Sequence, residues 1–147
     1  MTDRMSASEY NKTRRAKPVD REGPIQIEIV EWLRSALPAG TIVHHCRNEI
    51  NRSGWSIAKE QAKATKMGAV RGFPDLVVLP NAETGPMFFE VKAPKGYPTP
   101  AQKAVHAELT RLGYHVAVVR SVGDVRDHLR LWGVSFVEVI EHRGVVR

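Results

Sequence analysis

Apolar positions along this chain recur first at helical and then at strand spacing, and the changes of period delimit its elements. Ile25, Ile29, Trp32, Leu33 and Ala36 share one helical face, which opens near Pro24 and stops at Pro38 and Gly40. Residues 41–46 (TIVHHC) are short and β-branched, which predicts a strand. A turn follows at residues 51–54. Residues 55–67 predict a second helix, with Lys59, Lys63 and Lys66 on one side and Ala58, Ala62 and Ala64 free to pack. Two apolar runs at 76–79 (LVVL) and 87–92 (MFFEVK), joined by the turn-rich residues 80–86, predict central strands paired as a hairpin. Thr99-Pro100-Ala101-Gln102 has the form of a capping box, opening a helix through Val105, Leu109 and Leu112 that ends at Gly113. Residues 114–119 predict a further strand, 122–132 a helix and 135–140 an edge strand.

This order implies an α/β fold with a central mixed β-sheet flanked by helices. At 147 residues and 42% hydrophobic, the chain can bury one core but not two. Residues 22–147 are expected to form that domain. Residues 1–21 lack periodicity and carry Lys12, Arg14, Arg15 and Lys17, so they predict a flexible basic arm, either an inert tail or a contact to phosphates.

Charge narrows the choice of partner. A formal net charge of +6 and a sequence pI near 9.8 favour polyanions. The basic stripe of Lys59, Lys63 and Lys66, together with Lys95, suits a phosphate backbone, although a solvated helix face has the same appearance. Cys46 is the only cysteine, which excludes an intramolecular disulfide and points to a reducing compartment. The N-terminal residues contain no signal-like apolar stretch, and no apolar run reaches membrane-span length, so a cytoplasmic protein without a membrane partner is expected.

Candidate chemistry lies where charge interrupts the apolar strands. Side chains alternate along a strand, so Glu90 and Lys92 share a face while Phe89 and Val91 take the other. If the preceding strand pairs antiparallel, Asp75 at its start comes near Glu90. Two close carboxylates repel each other, and a divalent cation between them relieves that repulsion. All-oxygen ligation by Asp75, Glu90 and the Val91 backbone carbonyl suits Mg²⁺ or Mn²⁺, and Lys92 can orient water or neutralise developing charge. Taken singly, Glu90 and Lys92 make an ordinary ion pair and Asp75 a turn residue. His44, His45 and Cys46 lack the spacing of a zinc site, and His106 predicts a structural or surface histidine.

The stretch Gly72-Phe73-Pro74-Asp75, with Glu90-Val91-Lys92 following fifteen residues after the aspartate, resembles the PD-(D/E)XK nuclease superfamily and its VRR-NUC branch. The resemblance runs from about Glu22 to Val122. Further features are Glu22-Gly-Pro-Ile-Gln26, Lys66-Met-Gly68, and Gln102 with His106 and Leu109. It implies a restriction-endonuclease-like core and a metal-dependent DNA endonuclease. Metal ligation falls to Asp75 and Glu90, water activation or positioning to Lys92, and support to Gln102 and a carboxylate of the first helix. By position that carboxylate is Glu22, with Glu28 and Glu31 as competitors; Gln102 also serves the capping box. Similarity to stand-alone members, many encoded by phages or prophages, implies a homodimer acting on branched DNA such as Holliday junctions. The rival readings are a non-catalytic DNA-binding module of the same fold and a nuclease acting on RNA or plain duplex DNA.

Overall fold

The structure, a computed structural model, describes residues 17–47 and 56–139. Most of the expected N-terminal arm, the turn at 51–54, and Ile140 lie outside the described residues. Eight elements follow one another: α1 (Gly23–Ala36), β1 (Ile42–His45), α2 (Ser56–Lys66), β2 (Leu76–Leu79), β3 (Met87–Val91), α3 (Pro100–Arg111), β4 (His115–Val119) and α4 (Val122–Leu131).

The four strands form one sheet in the order β1-β2-β3-β4, with β1–β2 and β2–β3 antiparallel and β3–β4 parallel. A parallel neighbour needs a crossover, and α3 supplies it. Every residue of β3 is buried, as a central strand covered on both faces requires. On one face Leu76, Val78, Met87, Phe89, Val91, Ala117 and Val119 pack with Ile29, Trp32, Leu33 and Ala36 of α1 and Val125 and Leu129 of α4. Full burial of each Leu, Ile or Phe side chain contributes about 1.5–3 kcal/mol, so this face holds the layers together. Phe88 points to the opposite face, where its ring meets Phe73 and Tyr114 edge-on. Glu90, two residues further along, shares that face.

Two expectations are corrected. Residues 135–139, expected within an edge strand over 135–140, form no strand. They lie along α1 and α4: the Val137 N–H donates to the Ala36 carbonyl at 2.8 Å, and Phe136 packs edge-on against Trp32. Glu138 pairs with Arg130 at 2.7 Å and with Arg126 at 3.5 Å. The alternation of apolar residues reflects contact with helices, because this segment finds the open carbonyl end of α1 and no sheet edge. The helix α2 fully buries none of its residues; of the three alanines Ala58 and Ala62 face solvent and Ala64 is half-buried.

Candidate active site

Strand register brings the two carboxylates together. Leu76 pairs with Phe89, so one step outward Asp75 stands opposite Glu90 on the face that Phe88 also occupies. The Val91 N–H donates to Asp75 Oδ2 at 2.8 Å and fixes that carboxylate across the strand pair. Burial, with the neighbouring Glu90 carboxylate acting in the same direction, raises the Asp75 pKa to about 7 against the opposing pull of the Val91 N–H and Lys92. Burial, and secondarily the charge of Asp75, also raise the Cys46 thiol.

Glu90 is 1% exposed and contacted from several sides. Lys92 Nζ lies 3.3 Å from Glu90 Oε1, and Gln102 Nε2 donates to the same oxygen at 2.7 Å. His106 Nε2 stands 3.7 Å from Glu90 Oε2, too far for a hydrogen bond. Both of those atoms are buried without a hydrogen-bond partner.

The capping box seen in the sequence builds part of this geometry. Thr99 Oγ1 accepts from the Gln102 N–H at 3.2 Å, and Gln102 Oε1 accepts from the Thr99 N–H at 2.8 Å. The amide is thereby oriented with its nitrogen toward Glu90, so capping and contact with Glu90 coexist in one side chain. Gly72 allows the Phe73-Pro74-Asp75 turn to approach this helix end. Its φ is +85°, and a Cβ there would fall 2.5 Å from the Ala101 carbonyl carbon.

The start of α1 supplies the third carboxylate. Asp20 Oδ1 accepts from the Glu22 N–H at 3.2 Å and the Gly23 N–H at 2.8 Å, folding over Gly23 where any side chain would clash with it. Glu22 Oε1 then reaches to 3.8 Å from Lys92 Nζ, whereas Glu28 and Glu31 are exposed. A groove of about 680 Å³ runs from Asp75 and Glu22 past Gln26 and His45 to Glu31 and Arg34. Gln26 Nε2 and His45 Nδ1 bridge it at 2.7 Å.

The structure brings Asp75, Glu90, Lys92, Gln102 and Glu22 into one cluster, with the fully buried Val91 between two of them. It does not bring Lys59, Lys63, Lys66 or Lys95 into contact with that cluster; all four are exposed, three on α2 and one in the loop after β3. His106, which the sequence predicts as a structural or surface histidine, stands beside Glu90. The available signal was its spacing of four from Gln102, which places both on one helix face. Arg120, which no motif marked, ties down the loop after Lys92 through a hydrogen bond from Nη2 to the Gly96 carbonyl at 2.8 Å.

Residues 8–123 match the family described as VRR-NUC domain. A 52-residue stretch, 35% of this chain, is 50% identical to "Putative nuclease p44" of Acyrthosiphon pisum secondary endosymbiont phage 1, and the match spans 54% of that protein. A solved structure described as a VRR_NUC domain protein superposes with a TM-score of 0.58 at 24% identity, over 83% of this chain and all of that one. At that identity the superposition establishes a common fold.

Proposed function

Since this chain belongs to the VRR-NUC domain family, we propose that it is a divalent-metal-dependent endonuclease that hydrolyses phosphodiester bonds in DNA. One observation carries the reading: Glu90, buried and with Oε2 unpartnered, faces Asp75 across the strand pair and lies 3.3 Å from the Lys92 ammonium.

This donor set fits a hard cation. The half-buried Asp75 and the buried Glu90 repel each other, and because the Lys92 ammonium contacts only Glu90 Oε1, Oε2 is left as a free acceptor for a cation. Asp75 and Glu90 would hold Mg²⁺ or Mn²⁺, with the Val91 carbonyl as a further donor. Among the described residues no group of three or more His, Cys, Asp or Glu side chains gathers as a metal cluster, which leaves the remaining positions to water and phosphate oxygens. Bound there, the cation would polarise the phosphate and lower the pKa of water.

The chain's own residues supply the rest. Lys92, only 11% exposed at its side chain, is held between Glu90 and Glu22 and presents its remaining hydrogens to an attacking water or a phosphate oxygen. Gln102 keeps Glu90 from turning away. Glu22, half-exposed at the mouth of the groove, can accept a proton from the water that Lys92 orients.

Branched DNA as substrate and a homodimeric assembly form the finer part of the proposal. They are supported by the family resemblance, and two sites related by a two-fold axis would suit the two strands of a junction. Among the described residues no helix is long and apolar enough to cross a membrane.

The test is cleavage of labelled junction, flap, duplex and RNA substrates in Mg²⁺ or Mn²⁺ by wild type and by Asp75→Ala, Glu90→Ala and Lys92→Ala. Loss of cleavage in all three variants is expected. Equal cleavage by all four proteins would defeat the assignment. DNA binding with a steep salt dependence but neither cleavage nor metal binding would favour the non-catalytic module.

A further inference from the structure

After Lys92 the chain enters a loop, residues 93–99, that borders the candidate site. A Cβ built on Gly96 would lie 3.7 Å from Glu22 Oε1, and Glu22 is itself 3.8 Å from Lys92 Nζ. Two ties hold this loop at the end of the sheet. The Lys92 N–H donates to the Val119 carbonyl at 3.0 Å, and Arg120, the next residue after Val119, donates from Nη2 to the Gly96 carbonyl at 2.8 Å. Arg120 is anchored in turn, since its N–H donates to Asp124 Oδ2 at 2.8 Å.

Tyr97 projects from this anchored loop into solvent and is 78% exposed. A single exposed apolar side chain is ordinary on a protein surface. Tyr97 differs in what stands behind it: the Arg120 guanidinium lies 5.6 Å from the ring centroid and covers one face, leaving the other open. A ring backed by a cation, on a loop that also carries the exposed Lys95, offers a flat stacking surface beside a phosphate-attracting charge.

We propose that Tyr97, backed by Arg120, is a stacking platform for a DNA base next to the scissile phosphate. The proposal rests on the nuclease reading above and sharpens it, because a base can lie flat on that ring only when it has left the duplex stack. The favoured substrate is therefore DNA with an unpaired nucleotide at the cleavage site, as a flap or an opened branch point provides. Tyr97 would be a specificity-determining residue, while bond cleavage stays with Asp75, Glu90 and Lys92.

The experiment uses the full chain and a branched oligonucleotide with 2-aminopurine at the unpaired position beside the mapped cleavage site, and a twin that is abasic there. Binding is measured in Ca²⁺ and cleavage separately in Mn²⁺. Wild type is expected to quench the 2-aminopurine. Tyr97→Ala should lose the quenching and bind the base-containing DNA about 5- to 150-fold more weakly, the range for loss of one base–aromatic stack. It should bind the abasic twin as wild type does, and Tyr97→Phe should behave as wild type on both. Quenching that survives Tyr97→Ala, or an equal loss of affinity on both DNAs, would overturn the platform. Wild-type cleavage without quenching would overturn it alone, whereas a wild type that neither binds nor cleaves DNA would remove the nuclease reading with it.

Discussion

Gln102 Nε2 donates to Glu90 Oε1 at 2.7 Å while the other end of the same amide, Oε1, accepts from the Thr99 N–H at 2.8 Å. The cap that starts α3 therefore also aims the hydrogen-bond donor that holds the buried carboxylate. Local helix chemistry and long-range site geometry meet in one side chain.

Two substitutions separate these roles. Thr99→Ala removes the cap hydroxyl and should lower stability by about 1 kcal/mol with little change in cleavage. Gln102→Ala removes the contact to Glu90 as well, and a loss of about 10- to 100-fold in activity is expected, the range for partners that orient metal ligands. Thermal melts paired with kcat/KM measurements check both, and equal activity losses would sink the distinction.

Metal binding and chemistry should come apart at Lys92. Saturating Mn²⁺, at about one hundred times its Kd, should stabilise the wild type by about 2.7 kcal/mol. Glu90→Gln should abolish that gain. Lys92→Met should keep or increase it, because a competing positive charge is gone, while cleavage is lost. Differential scanning fluorimetry with and without Mn²⁺ reads the first effect and a gel assay the second.

Asp75 makes stability in EDTA depend on pH in a defined direction. Its folded pKa of about 7 lies above the ordinary value of 3.8, so between these values the folded protein keeps a proton that the unfolded chain has released. That contribution is complete below the unfolded pKa and is lost as pH rises through about 7. Against Asp75→Asn, the wild type should thus become relatively less stable from about pH 5 to pH 8. Urea midpoints for both proteins across that range provide the check; a constant difference would contradict the shift.

Gly72→Ala tests whether the turn before Asp75 must touch the start of α3. The new Cβ would fall 2.5 Å from the Ala101 carbonyl carbon, at a backbone φ of +85°. The expected result is a loss of well over 1 kcal/mol of stability together with most of the activity. Gly85→Ala is the control: it has positive φ but nothing within 4 Å, so its effect should be confined to backbone strain of about 1 kcal/mol.

The lysines of α2 predict a salt effect. Lys59, Lys63 and Lys66 are exposed on a helix that buries nothing. If each neutralises one phosphate, replacing all three with Ala should reduce the slope of log affinity against log salt by about 2.7. An unchanged slope in filter binding or anisotropy would assign them to an ordinary solvated face.

Hydrophobic period determined the elements and their order, because the face a residue presents depends only on its own position in a helix or strand. It therefore located α1 and α3, paired β2 with β3, and placed Glu90 and Lys92 on one face. The same reasoning misjudged residues 135–139, whose alternation suits a strand but whose partners are helices. Tertiary structure alone decided the rest. The antiparallel register set Asp75 opposite Glu90, the docking of α3 turned Gln102 and His106 inward, and Arg120 came to lie behind Tyr97. Each of these joins residues distant in sequence through the packing of whole elements, and no local period carries that information.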